Sequence, residues 1–266
     1  MNRLPISVCM ISGAESQRIG RALESVAEWT SEIVIVLNAD VNDGTEEIAR
    51  RHGAKIFREP WSGYVAQKSS AAQKATQDWL LGLDADEVVS AALHQEIQGL
   101  FGERKQLEQF AAFSCPRLTM FCGRWIRHGD WYPDHTIRLW RKTLAEWGGV
   151  DPHARLIVRG EVRKLRSDLL HYNAETIDRQ IAKIAGFSGD FVRHIQANGG
   201  RTTWWDLAFR PAWRFARCYF LRLGFLDGWP GYYIAWMTAF QTVTRYAKVR
   251  EAEGKRSEHL EREIKH

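Results

Sequence analysis

Trp79-Leu80-Leu81-Gly82-Leu83-Asp84-Ala85-Asp86-Glu87-Val88-Val89 is a short apolar run that ends abruptly in three acids. Trp79 to Leu83 has the length of a strand buried on both faces. Asp84, Asp86 and Glu87 follow where such a strand leaves its sheet, and ligands of open α/β sheets bind at the carboxyl ends of strands. On extended backbone, residues two apart point the same way. Asp84 and Asp86 can therefore face one hard cation or its water shell. A magnesium or manganese ion held by one or two carboxylates completes its shell with phosphate oxygens and water. The plainer alternative is that Asp84 or Asp86 caps the next helix.

Upstream, strand and helix alternate. Ile6 to Ile11 reads as a buried strand and Ser12-Gly13 as a turn. Glu15 to Trp29 carries Ile19, Leu23 and Val26 at helical spacing. Glu32 to Leu37 is a second strand, and Asn42-Asp43-Gly44 turns into a helix through Arg51. Ala54 to Phe57 is short and extended, Tyr64 to Gln77 is helical, and Trp79 to Leu83 is the fourth strand. This βαβαβαβ rhythm predicts an α/β fold with a mostly parallel sheet and right-handed crossovers. Gly-x-Gly-x-x-Gly is absent after the first strand, and no Gly-x-x-x-x-Gly-Lys occurs. Dinucleotide-binding and P-loop readings lose support accordingly.

A chain of 266 residues fits one large domain or two closely fused ones. Its 45% hydrophobic and 26% charged residues suit a globular protein with ample core. The net charge of +5 and pI near 9.1 point to an anionic partner, with phosphates, nucleic acid and acidic lipid all open. Cys9, Cys115, Cys122 and Cys218 are scattered and form no Cys-x-x-Cys. Neither a zinc site nor a disulfide framework is indicated, and reduced cytosolic thiols are expected. No signal-peptide apolar region precedes Ile6, so export is not expected. Twelve tryptophans, many in the second half, suit sugar faces or a membrane interface as well as a core.

Three blocks carry a resemblance to a known family. The first is Arg58-Glu59-Pro60-Trp61-Ser62-Gly63-Tyr64-Val65-Ala66-Gln67-Lys68, followed by Asp78-Trp79 and the acidic cluster. The second is Gly123-Arg124-Trp125-Ile126-Arg127-His128-Gly129-Asp130-Trp131-Tyr132-Pro133-Asp134, continuing through Arg138-Leu139-Trp140-Arg141. The third is Leu223-Gly224-Phe225-Leu226-Asp227-Gly228-Trp229-Pro230-Gly231. In this order they make the chain resemble family 2 glycosyltransferases from about Ile6 to about Lys248. The branch it is most similar to adds sugars to the bacterial lipopolysaccharide core, including heptose-directed β-glucosyltransferases. The resemblance implies a GT-A fold: a Rossmann-like, mostly parallel sheet, a mixed acceptor-side sheet and a C-terminal helical extension. It implies a nucleotide-sugar donor, most plausibly UDP-glucose, a lipopolysaccharide core acceptor, transfer with inversion, and no nucleic-acid partner.

Residue roles follow from that resemblance and from the chemistry. Breaking a sugar–diphosphate bond leaves extra negative charge on the diphosphate, and positive charge aimed there stabilises the transition state. Asp84 and Asp86 are assigned to a divalent cation (Mn2+ or Mg2+) and ribose, with Asp86 as the direct ligand. His171, after Leu169-Leu170, matches a C-terminal His that ligates metal or diphosphate in many GT-A enzymes, although a His ending a strand is often structural. Glu15 matches an acidic nucleotide contact, and Arg58, Gln67 and Lys68 fall beside the nucleotide unless they form a solvated helix face. The chain departs from the family in two places: Ala14 replaces the usual Asn, and Leu37 the usual Asp. Asn38 or Asp40 could substitute for the latter, so the donor base stays open, and so does a degenerate, inactive member. The family's Val-His-Glu base block reads here Val150-Asp151-Pro152-His153-Ala154. The base is assigned to Asp151, then Asp134, then His153, against an ordinary Asp-Pro turn.

The expected divisions are a donor half (1–109), an acceptor half (110–172) and C-terminal helices (173–266). Ser90 to Gln109 is an amphipathic helix with a charged link, and Phe110 to Phe121 a long strand. Trp125, Arg127, Trp131 and Tyr132 belong to a loop that could close over phosphates or acceptor, its aromatics being a sugar platform or structural core. Ala174 to Ala197 reads as a helix. From Trp204, aromatic and aliphatic residues alternate with Arg210, Arg214 and Arg217, a basic stripe suited to a membrane interface. The competing reading is a packed helix pair with its arginines in water. Gly228 to Thr244 is uncharged but too short to span a bilayer, and Glu251 to His266 reads as a frayed tail. Peripheral association with the inner face of the inner membrane, from the cytoplasm, is expected. Two alternatives remain: a non-catalytic scaffold on a degenerate transferase fold, and a sugar-phosphate nucleotidylyltransferase. The latter would carry a Gly-rich basic loop that Ser12-Gly13-Ala14-Glu15 does not supply.

Overall fold

Val8 and Met10 point to one face of the first strand and Cys9 to the other, and all three are buried. That period of two extends through the parallel strands that make up the centre of the sheet. The computed structural model describes residues 3–151, 153–172, 176–178, 180, 181, 191, 192, 195 and 202–264. Most of the expected 174–197 helix lies outside the described residues.

The chain divides into two compact units, Met1–Leu118 with Asp134–Tyr172, and Thr119–Pro133 with the segment from Asn173 onward. In the first unit the order is β1 (Leu4–Ser12), α1 (Ile19–Glu24), β2 (Thr30–Asn38), α2 (Thr45–Arg51), β3 (Lys55–Glu59), α3 (Tyr64–Lys74) and β4 (Trp79–Gly82). There follow β5 (Glu87–Val89), α4 (Ala91–Gly102), α5 (Arg104–Leu107) and β6 (Ala112–Phe121), whose last three residues belong to the second unit. A further hairpin strand, β7 (Arg124–Ile126), lies in the second unit. The first unit resumes with β8 (Asp134–Arg141), β9 (Ala145–Val150), β10 (His153–Val158), β11 (Val162–Lys164) and β12 (Leu169–His171).

The sheet runs β3-β2-β1-β4-β8-β6-β12-β5, with β11 alongside β6. β1, β2, β3 and β4 are mutually parallel, as the alternating rhythm predicts. Beyond β4 the sheet turns mixed: β8 is antiparallel to both β4 and β6, and β12 to β5. β9 and β10 form a separate antiparallel hairpin. Ile6, Val8, Leu81 and Leu139 pack with Ile19, Leu23 and Val26 of the α1 segment on one face. Cys9, Val34, Val36, Leu80 and Trp140 fill the other. β4 is thus buried on both faces.

Several expected boundaries move, α3 ending at Lys74 and not at Gln77. The helix expected over Glu15 to Trp29 is regular only at Ile19–Glu24. Its start is tied down elsewhere, Glu15 N–H donating to Thr45 Oγ1 (2.9 Å) and Ser16 N–H to Asp43 (3.1 Å). Past Glu24 the Ser25 hydroxyl donates back to Ala22 O and the Trp29 indole to Ser25 O, a local competition that replaces helix with turns. The charged tail expected to fray instead continues a helix.

The second unit holds α6 (Trp204–Ala216), a π turn (Arg217–Leu221), a 3-10 turn (Gly224–Asp227) and α7 (Gly228–Ile264). Thr203 and Asp206 cap α6 reciprocally. The distal half of α7 is rich in Glu, Lys, Arg and Ala, strong helix formers. Glu253 also accepts from Thr202 N–H (3.0 Å). The core of this unit gathers Phe121, Ile126, Cys218, Ile234 and Ala235. Among the described residues no helix is long and apolar enough to cross a membrane.

Candidate active site

β1 lies between β2 and β4, so the chain order reverses beside its carboxyl end, the position where open α/β sheets bind ligands. Leu83 N–H donates to Cys9 O (3.1 Å), carrying the pairing one residue past β4. Asp84 then enters a tight turn, with Glu87 N–H donating to Asp84 O (2.9 Å) and Asp84 N–H to Glu87 Oε2 (3.1 Å). Neither Asp84 nor Asp86 caps the next helix. Ser90 does so, accepting from Leu93 N–H.

The Asp84 carboxylate accepts from Lys68 Nζ (2.9 Å) on one oxygen and from Arg138 (2.8 Å) on the other. Arg138 also donates to the fully buried Glu87 (2.6 Å). Arg117 lies 3.7 Å from Glu87 and pairs with Asp134 (2.6 Å). Burial would raise the Asp84 carboxyl, but the charges of Arg138 and Lys68 outweigh it and hold the group well below the usual carboxylate range. Burial likewise works against the Arg138 cation, and Glu87 and Asp84 more than restore it. Asp84, Lys68 and Arg138 line a small, partly open cleft with Gly82 and Trp147. Lys68 Nζ lies 4.9 Å from the centre of the Trp147 ring. A Cβ at Gly82 would come within 2.9 Å of the Trp140 ring, so only glycine fits there. Arg138 Nε is buried with no hydrogen-bond partner.

Asp86 faces other neighbours. Its carboxylate lies 3.4 Å from His171 Nε2 and 3.9 Å from Arg18, which also pairs with Glu15 (2.6 Å). Burial and Asp84 push the Asp86 carboxyl up, while the His171 hydrogen bond and charge, with Arg18, bring it net downward. The β12–β5 pairing, His171 opposite Glu87, brings this imidazole to the end of β4. No group of three or more His, Cys, Asp or Glu side chains is assembled for a metal among the described residues. The donors nevertheless fit a hard divalent cation in part. A carboxylate and an imidazole lie together at a partly open strand end, whereas both oxygens of Asp84 are engaged by cations.

Other expected residues lie apart or are tied down. Asn38 ends β2 with its Oδ1 buried and unpartnered, a vacant acceptor beside the β1–α1 turn, where a Cβ on Gly13 would be 3.8 Å from its amide nitrogen. Asp40 is exposed. Arg58 pairs with Glu46 (2.6 Å), and Gln67 is wholly buried, donating to Pro60 O (3.3 Å). Asp151, in the turn of the β9–β10 hairpin, accepts from Val65 N–H (3.0 Å) and so caps the N-terminus of α3. Gly63, at φ +98°, permits this, since a Cβ there would collide with the Asp151 carboxylate. His153 opens β10 and is exposed. Pro152 lies outside the described residues.

The family model for glycosyl transferase family 2 matches residues 7–165, more than half of the chain. The chain belongs to glycosyl transferase family 2. An uncharacterized glycosyltransferase of Rickettsia typhi is 30% identical over 92% of this chain and 87% of its own length. The lipopolysaccharide core biosynthesis glycosyltransferase LpsC of Rhizobium meliloti is 26% identical over 92% of this chain and 94% of its own. Among solved structures, S. aureus TarS 1–349 in complex with UDP aligns with a TM-score of 0.49 at 14% identity, over 96% of this chain and 92% of that one.

Within this family 2 transferase, the second and third sequence blocks meet in the second unit. Asp227, almost wholly buried, accepts from the backbone N–H of Arg127 (3.1 Å) and His128 (2.8 Å) and pairs with the His128 ring (3.1 Å). Arg124 donates to Leu226 O (2.9 Å), and Gly129 N–H to Arg222 O (2.8 Å). Trp131 packs edge-on against Phe121, and Trp125 and Tyr132 are half-buried, while Arg127 is exposed. Sequence reasoning gave no site role to Arg138, Glu87, Arg117 or Arg18, although Arg138 and Glu87 stand in stretches it quoted. Arg138 left a signal: an arginine between Ile137 and Leu139-Trp140, the apolar part of its strand, requires a buried counter-ion.

Proposed function

We propose that this chain moves a hexose, glucose from UDP-glucose, onto a core sugar of lipopolysaccharide with inversion. Residues 1–109 would hold the donor, 110–172 the acceptor and base, and 173–266 the membrane-facing helices, at the cytoplasmic face of the inner membrane. The observation that carries the reading is the Asp86–His171 pair at the end of β4, next to Asp84 and a cavity lined by Lys68 and Arg138. The acceptor follows the name of the LpsC relative, and the donor follows family membership.

Asp86 and His171 are the residues that would hold Mn2+ or Mg2+, with Asp84 beside them; when bound, the cation supplies positive charge to the departing diphosphate. Lys68 and Arg138 add fixed positive charge in a half-enclosed site, where it acts more strongly than in water. Glu15, paired with Arg18 near Asp86, is assigned to the nucleotide. Asn38 offers an unpaired acceptor for the base or ribose; Asp40, Arg58 and Gln67 are assigned to the donor as well, Arg58 by leaving Glu46. Trp125, Arg127, Trp131 and Tyr132 are assigned to the acceptor or phosphate loop. Asp151 takes the acceptor hydroxyl proton, which requires it to leave the α3 N-terminus; Asp134, held by Arg117, is the second candidate.

Hydrolysis of a panel of nucleotide sugars, with and without manganese, tests this reading. Manganese-dependent release of UDP from UDP-glucose is expected. Absence of manganese-dependent binding of any nucleoside diphosphate would favour the scaffold instead.

A further inference from the structure

The arginines expected to lead membrane contact are committed elsewhere. Arg210 pairs with Asp206 (2.5 Å), while Arg214 and Arg217 converge on Asp130 (3.2 and 2.5 Å). What the second unit leaves open is apolar. Trp205, Phe209 and Trp213 recur every four residues along α6, one stripe of a helix. Trp229, Trp236 and Phe240 form a second stripe along α7. All six side chains are more than half exposed. The Phe215 and Trp236 rings, 4.9 Å apart, join the two helices, so both stripes belong to one packed pair. Monomeric surfaces seldom leave so many large aromatics in water without a partner.

Charge selects the partner. Residues 204–250 contain seven Arg or Lys and two Asp, a surplus of five that equals the net charge of the whole chain. Asp130 takes up part of it through Arg214, Arg217 and Arg222, and the rest, Arg245, Lys248 and Arg250, follows the second stripe along α7. Tryptophan-rich apolar surface on a cationic helix pair is the chemistry of a helix lying in an anionic headgroup layer. A protein groove would account for the apolar stripes but not for the concentration of charge.

We infer that the α6–α7 pair docks on an anionic lipid surface through its two aromatic stripes, the tryptophans supplying the affinity and the net cationic surplus of the pair a salt-sensitive increment. This deepens the membrane-facing part of the proposed function and rests on it for its biological setting, while its test needs no transfer activity. The full chain is mixed with vesicles of phosphatidylglycerol and phosphatidylcholine, or of phosphatidylcholine alone, and sedimented. Wild type should sediment with the anionic vesicles, less so in high salt. Trp213→Glu with Trp229→Glu should lower the partition coefficient about 100-fold while melting temperature and UDP binding stay at wild-type values. Wild type left in the supernatant, or the double variant sedimenting as wild type does, would overturn the inference. So would a wild-type dimer in solution that the same substitutions convert to monomer, because the face would then be a protein interface. UDP binding is read separately, so loss of the transferase reading would appear there and not in sedimentation.

Discussion

The two ends of the parallel sheet handle buried carboxylates in opposite ways. At the amino end of β2, Glu32 is enclosed. It accepts from the Ser7 hydroxyl, Lys55 (2.7 Å), and the Thr76 N–H (2.8 Å) and hydroxyl (3.0 Å). Burial raises its carboxyl, but these partners bring it down to about 2. At the carboxyl end of β4, Asp84 and Asp86 remain partly open, beside a cavity and an arginine whose Nε has no partner. A closed network stabilises the fold. An open one, held in place by its neighbours, retains the capacity to bind.

This contrast can be broken by substitution, beginning with the largest expected effect. Arg138→Met leaves Glu87 and Asp84 without their shared cation and should cost about 3–5 kcal/mol in urea unfolding; a cost below about 1 would mean that the lattice is not held by this arginine. Asp86→Ala should lower kcat/KM about 10²–10³-fold with an unchanged unfolding midpoint, reflecting chemistry and not folding. Glu32→Gln should do the reverse, costing about 1–3 kcal/mol in stability with little change in turnover per folded molecule. The sign of its pH dependence follows from a lowered carboxyl. Stabilisation by Glu32 is complete above its ordinary value of 4.5 and is lost as pH falls toward 2, so the variant should flatten the stability curve in that window. Gly63→Ala should cost about 1–2 kcal/mol in thermal unfolding, because φ +98° disfavours a side chain and Asp151 is displaced from α3.

Local signals were legible in the sequence, and pairings at a distance were not. The β1 to β4 rhythm and the burial of β4 follow from apolar runs and turn residues, and Asp84 and Asp86 stand out at its end. Arg138 reaches Asp84 only because Leu81 pairs with Leu139 across β4 and β8, a register that no local pattern fixes. The Asp151 contact with Val65 spans 86 residues and depends on how the β9–β10 hairpin meets α3. The basic stripe was visible as spacing, but its acid, Asp130, lies in a different sequence block.

The central claim is that Asp86 and His171 grip a divalent cation together with a nucleoside diphosphate. Electron paramagnetic resonance of free Mn2+, titrated with protein and UDP, tests it without requiring turnover. The wild-type chain should take up Mn2+ in proportion to bound UDP, and Asp86→Ala or His171→Ala should weaken uptake about 10–100-fold. Uptake by the Asp86 variant equal to wild type, or UDP binding indifferent to metal, would contradict it.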